Sequence, residues 1–337
     1  MTQPKKIILI SIDTLRADHL GCYGYQRDTS PHIDQLAYEG VLFKYGFSPC
    51  SFTLPSHASL FTSQYPHHHS VKFDNNFGKL NVDSDITLSE ILRLNKYKTA
   101  AFVGSMVLRH ESRLDIGFDH YDDEMTSHEQ NREDQLIRDG SETLNKAIQW
   151  IKDHLSDNFF IFLHFFDVHG PYLPPLRFKH LFTEDMFQSP KIKLTRINGY
   201  DDLICAIPSY QLLDPVKNDN GEIVSFEKDV SYYVTQYDAC IRYTDFLIGE
   251  LTRFLKNSEI YDDCFIILIS DHGESFGEND IFFYHGLTVT PDQIRIPVII
   301  KPSNQENYDP SIKEIGFPVS LVDIMPTILG HCGIEYT

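Results

Sequence analysis

Long apolar runs alternate with amphipathic stretches along the chain. Residues 6–12 read KIILISI, an unbroken apolar run of strand length, which predicts a strand covered on both faces. Residues 30–39 predict a helix, with Pro31 early and Gly40 at the stop. Residues 86–95 (ITLSEILRLN) have helical spacing, and residues 99–103 (TAAFV) follow as a strand. Residues 142–155 form an amphipathic helix, and residues 159–166 (FFIFLHFF) a strongly apolar strand. A long helix is expected over 232–255, then buried strands at 265–270 (FIILIS) and 296–300 (IPVII). Residues 320–330 (SLVDIMPTILG) look helical, with a bend expected at Pro326. Such alternation predicts an α/β fold: a mostly parallel central sheet with helices on both faces.

The stretch at about 176–228 breaks the pattern. It is polar, carries turn signals around residues 218–221 and lacks clear periodicity. It reads as a lid-like insertion in a single catalytic domain spanning 1–337, not as a second domain. No internal repeat and no low-complexity tract is present.

Composition narrows the partners. The chain has 337 residues, 42% of them hydrophobic, which is ample for a large core. With 29 basic against 48 acidic residues, the net charge is −19. That surface repels nucleic acid and anionic membrane. An anionic substrate then needs a local positive feature, such as a metal ion or a helix N-terminus. The six cysteines are dispersed and form no CxxC pair, so they read as free thiols. The apolar run after Lys5-Lys6 is too short for a signal peptide, and none approaches membrane-spanning length. The expectation is a soluble, cytoplasmic protein.

In sheets of this kind ligands sit at the carboxyl ends of the strands. The first strand ends at Asp13-Thr14. Another runs through His164 to Asp167 and His169, and a third ends at Asp271-His272-Gly273. Asp13, Asp271 and His272 make a cation site suited to Mn²⁺ or Zn²⁺, or with added water oxygens to Mg²⁺ or Ca²⁺. For one such carboxylate alone, a helix cap is the simpler reading; the set together favours metal. Pro55 before a small and apolar stretch places a helix start near Thr53. Backbone N–H groups there favour an anion and a deprotonating hydroxyl. Thr53 read alone is a helix N-cap; beside a metal it is a nucleophile.

Six segments resemble the sulfatase family of the alkaline-phosphatase superfamily. They are ISIDTLRADHLGCYGY, TLPSHASLFTS, LHFFDVHGPYLPP, SDHGESFGE, HGLTVTPDQIRIPVIIKP and DIMPTILGHCGI, in family order and spanning nearly the whole chain. The resemblance implies one divalent metal ion held by Asp13, Thr53, Asp271 and His272. It implies Thr53 as nucleophile, with His169 and His285 as catalytic histidines. Asn75, His57 and Arg16 fall at or near positions that contact the substrate or support the metal loop. A second metal using Asp167, His169 and His285 is a further expectation from two-metal relatives.

The departures from the pattern point away from a typical sulfatase. Thr53 stands where the family has the cysteine or serine that becomes formylglycine, so no formylglycine is expected. His57 replaces the signature arginine, and Thr14 the second aspartate. Gly104-Ser105-Met106 occupies the place of a Lys-x-His. Phosphonate monoester hydrolases and phosphodiesterases of the superfamily share this character. The expected substrate is a small anionic ester, with a phosphate or phosphonate ester favoured. The alternatives are a true sulfuric ester hydrolase, a phosphoglycerol- or phosphoethanolamine-type transferase, or a non-catalytic ligand-binding homologue. The family's C-terminal subdomain is expected to be short or missing.

Overall fold

The computed structural model describes residues 5–71, 78–81, 85–182, 194–197, 206–304 and 309–335. A nine-stranded sheet forms the core. Its strands in chain order are β1 (Lys6–Ile12), β2 (Val41–Phe47), β3 (Lys98–Phe102), β4 (His120–Asp122), β5 (Phe159–Phe165), β6 (Cys264–Ile269), β7 (Arg295–Ile296), β8 (Val298–Lys301) and β9 (Glu314–Ser320). β1 lies at the centre, parallel to β6 on one side and β5 on the other. β3 and β4 extend the parallel set beyond β5. β8 runs antiparallel to β6, and β2 pairs antiparallel with both β7 and β8. β9 closes against β2 in parallel. The sheet is therefore mostly parallel, as the apolar runs predict.

Successive side chains of a strand face opposite sides, and β1 shows this directly. Ile8, Ile10 and Ile12 pack with α1 (Pro31–Glu39), α4 (Gly140–Asp153) and α5 (Val230–Asn257). Ile7 and Leu9 pack on the other face with α2 (Thr53–Thr62), α3 (Leu88–Leu94) and α6 (Ile324–Cys332). Each such buried aliphatic side chain contributes roughly 1.5–3 kcal/mol. The central strands are thus the costliest part of the molecule to displace.

Three expectations change in detail. Residues 314–320 extend as β9, and the last helix starts at Ile324. Pro326 falls in its first turn, where a missing N–H costs nothing within the helix, so no bend is required. The insertion at about 176–228 is not patternless. It contains a parallel pair, Thr195–Ile197 with Ala206–Pro208, and an antiparallel pair, Val216–Lys217 with Ile223–Ser225. A hairpin of Ser127–Glu129 and Arg132–Ile137 also appears where the sequence shows no clear signal. Among the described residues no helix is long and apolar enough to cross a membrane.

Candidate active site

β1 and β6 are neighbours in parallel, so the residues that follow them emerge side by side. Asp13 follows β1, and Asp271 and His272 follow β6. All three are fully buried. The backbone N–H groups of Thr14 and His272 both donate to Asp271 Oδ1, at 3.2 and 2.9 Å. His272 Nδ1–H donates to the Gly273 carbonyl at 2.9 Å, which leaves Nε2 as the bare acceptor. That nitrogen stands 3.4 Å from Asp271 Oδ2 and 3.8 Å from Asp13 Oδ1.

Thr53 is the first residue of α2, and Phe52 occupies the cap position. The Thr53 hydroxyl does not cap the helix. It donates to Asp13 Oδ2 at 3.4 Å and lies 3.2 Å from His272 Nε2. The helix start therefore delivers this hydroxyl into the group formed by the two strand ends.

The donor set fits a divalent cation. Ligand atoms of Asp13, Asp271 and His272 all lie within 4.8 Å of one another. Asp13 Oδ1 and Asp271 Oδ2 are buried without a hydrogen-bond partner. Orphaned buried carboxylate oxygens are costly unless something positive neutralises them. Burial pushes the Asp13 carboxyl up to about 7. A cation among these atoms would reverse that cost.

Two further histidines stand over this group. The His285 ring lies 4.4 Å from His272 and 5.3 Å from His169. His169 Nδ1–H donates to the Gly170 carbonyl at 2.6 Å, so its Nε2 is the acceptor. His285 Nδ1 is 3.1 Å from Glu274 Oε1, and Tyr172 donates to Glu274 Oε2 at 3.2 Å. Burial lowers His285 to about 4 and His169 well below the usual histidine value. Burial raises Glu274 to about 8. Glu274 holds His285 in place, a role the sequence reading missed although Glu274 lies within the quoted SDHGESFGE.

The remaining expected residues fall elsewhere. His57 is fully buried beneath Thr53. Its Nδ1–H donates to the Thr53 carbonyl at 2.7 Å, and its Nε2 is 3.0 Å from Ser11 Oγ. It ties the start of α2 to β1 and has no exposed surface to offer a substrate. Arg16 is committed as well: it pairs with Asp18 and Glu278 and donates to the Glu274 carbonyl. It braces the loop after β1 against the loop after β6. Asp167 accepts from Gly140 N at 2.9 Å at the start of α4, and among the described residues its ligand atoms do not cluster with those of His169 and His285. Asn75 lies outside the described residues. His164, given no role from sequence, is fully buried with Nε2 3.3 Å from Asp13 Oδ2. A cavity of about 760 Å³ lined by Lys256, Tyr261 and Lys301 contains no group of this site.

A mostly parallel α/β sheet with buried acids and a histidine at its carboxyl edge, facing a helix-borne hydroxyl, is the framework of an ester hydrolase. The sulfatase family model matches residues 5–334, and the chain belongs to that family. Two proteins of Formosa agariphila, a sulfatase and an ulvan-active sulfatase, are 23% and 24% identical to it. Those alignments cover 98% and 99% of this chain but 69% and 62% of the relatives, so this chain spans about two thirds of their length. The phosphonate monoester hydrolase of Agrobacterium radiobacter shares the fold at a TM-score of 0.70 and 19% identity, over 98% of this chain and 74% of its own. The protein is an ester hydrolase of the sulfatase family.

Proposed function

We propose that the protein cleaves a phosphate or phosphonate ester in two steps through a covalent intermediate on Thr53. The observation that carries this reading is the Thr53 hydroxyl, 3.4 Å from Asp13 Oδ2 and 3.2 Å from His272 Nε2. A nucleophile of this kind needs activation, and those neighbours are the atoms a cation would join. Asp13, Asp271, His272 and Thr53 would hold one divalent ion. Bound there, the ion supplies Lewis-acid polarisation of the ester oxygens and offsets charge as it builds.

The chain's own groups do the rest. Asp13 Oδ2 orients the hydroxyl by accepting its hydrogen bond. His57 fixes the backbone that carries Thr53. In the first step the Thr53 hydroxyl proton passes to a bare Nε2 of His169 or His285 as Thr53 Oγ1 forms a bond to phosphorus in line; the bond to the leaving oxygen breaks, and the leaving alkoxide takes that proton from the same Nε2. In the second step water gives a proton to that Nε2 as its oxygen bonds to phosphorus, the bond to the Thr53 oxygen breaks, and the Thr53 oxygen takes the proton back as its hydroxyl. Both histidines are held at Nδ1, so Nε2 is the atom that exchanges protons in each.

Thr53→Ala tests the reading. Turnover should fall by roughly four orders of magnitude or more, while metal affinity falls only in part. A wild-type rate in that variant would refute the nucleophile. Sulfate esters are the second reading, favoured by the sulfatases among the relatives. Aryl sulfate, phosphate diester and phosphonate ester assayed side by side separate the two. A strong preference for the sulfate ester would overturn the phosphoester assignment.

A further inference from the structure

We infer that His164 is a positioning residue for the reaction: its Nε2–H holds Asp13 Oδ2 once the Thr53 hydroxyl has given up its proton. The inference rests on the proposed function, in which that hydroxyl first donates to Asp13 and then loses its proton.

An imidazole stands where packing asks for an aromatic or aliphatic side chain. β5 reads FFIFLHF, and its side chains alternate between the two faces of the sheet. Phe159, Ile161, Leu163 and Phe165 pack on the face of α4 and α5, and Phe160 and Phe162 on the face of α2. His164 follows Phe160 and Phe162 on that second face. Its ring is stacked 6.4 Å from Phe162 and stands edge-on 5.2 Å from the His57 ring. It is fully buried, and neither ring nitrogen has an aligned hydrogen-bond partner. A polar group held dry and unpaired is destabilising, and phenylalanine or leucine would fill the space without that cost. Packing therefore gives no reason for the imidazole, and its neighbours must.

Strand register names the neighbour. His164 lies opposite Ser11, two residues before Asp13. The Asp13 N–H donates to the Phe165 carbonyl at 2.9 Å, so the backbone pins Asp13 to the end of β5. His164 Nε2 then stands 3.3 Å from Asp13 Oδ2. An imidazole carries at least one N–H. At Nδ1 that proton would meet no acceptor, whereas at Nε2 it faces a carboxylate oxygen. His164 is thus the Nε2–H tautomer, the reverse of His272 and His169, whose protons sit on Nδ1.

The proposed chemistry needs such a donor. Asp13 Oδ2 accepts from the Thr53 hydroxyl at 3.4 Å, and Oδ1 has no hydrogen-bond partner, which leaves it for the cation. When Thr53 Oγ1 loses its proton, Oδ2 loses its donor and faces a negatively charged oxygen. His164 Nε2–H is then the donor within reach among the described residues. It holds Oδ2 and keeps the carboxylate from turning away from the ion. A hydrogen bond to the far oxygen of a ligating carboxylate sets its orientation and so its affinity for the metal. His164 acts through Asp13 and not on the ester.

The test has a spectroscopic arm and a binding arm. NMR of metal-free protein carrying ring-¹⁵N histidine reads the tautomer, the His164 signals being those lost in His164→Gln. They should report a proton on Nε2; a proton on Nδ1 alone would overturn the inference. Calorimetry with zinc as the probe ion, and steady-state rates on a phosphodiester, follow the variants. His164→Phe should melt no lower than the wild type. It should bind zinc roughly tenfold more weakly and lose roughly ten- to a hundredfold in kcat, with KM unchanged. His164→Gln, whose amide sets an N–H near the Nε2 position, should recover most of both. Wild-type zinc affinity and kcat in His164→Phe would overturn the inference, as would a glutamine variant no better than the phenylalanine one. Should the phenylalanine variant not fold, His164→Leu takes its place in the same comparison. A wild-type protein that binds neither zinc nor manganese would overturn the proposed function itself.

Discussion

Asp13, Asp271 and His272 leave strands in which every residue is buried, whereas His169 and His285 sit on loops with exposed residues around them. The first group is positioned by the sheet itself. The register of β1 against β6 sets the spacing of the carboxylates, and α2 adds Thr53 from one face. The second group is positioned outside the sheet, by the Glu274 side chain for His285 and by the backbone Gly170 carbonyl for His169. A floor fixed by the backbone can keep one cation geometry through many substrates. A rim built on loops can change with the ester it admits.

Breaking the floor should give the largest effects. Asp13→Asn combined with Asp271→Asn removes both orphaned oxygens. Stoichiometric metal and turnover should vanish together, the latter by roughly four orders of magnitude or more, read by metal analysis and initial rates. His57→Ala separates position from ligation. Metal content should stay, KM should stay, and kcat should fall roughly a hundredfold, because the Thr53 carbonyl loses its tether to Ser11.

Changes at the rim should be smaller and depend on the substrate. His169→Gln or His285→Gln should cost roughly a hundredfold on an ester with a basic leaving alcohol. The loss should be much less with a nitrophenolate leaving group, which needs no proton. Equal losses on both substrates would remove the proton-donor role from that histidine.

The smallest effect concerns the loop that carries His169. Burial pushes the Asp167 carboxyl up to about 7, from an ordinary value of 3.8. A raised acid holds its stabilising share below the ordinary value and loses it as pH rises through the folded one. Asp167→Asn should therefore gain stability over the wild type between pH 5 and 8. The side chain is partly exposed, so the gain should be about 1 kcal/mol in denaturant melts.

The floor was legible in the sequence and the rim only in part, for one physical reason. A run such as KIILISI can only be a buried strand, so the polar residues after it must lie at a sheet edge. Asp13 and Asp271-His272 follow from that alone. Thr53 needed Pro55 and the helix start as well. The resemblance pointed to His169 and His285 but not to the groups that hold them. His57 was expected at the substrate, yet its ring is used between Ser11 and the Thr53 carbonyl. That contact crosses from α2 to β1, and no local pattern reports it. β9 escaped because its residues are mostly exposed and include Pro318.

Mass spectrometry of the enzyme quenched during turnover of a phosphodiester tests the central claim most directly. The expected result is a phosphoryl-bearing adduct confined to the peptide that contains Thr53, absent from Thr53→Ala and from chelated enzyme. An adduct on another residue, or rapid turnover with Thr53 unmodified at every quench time, would contradict it.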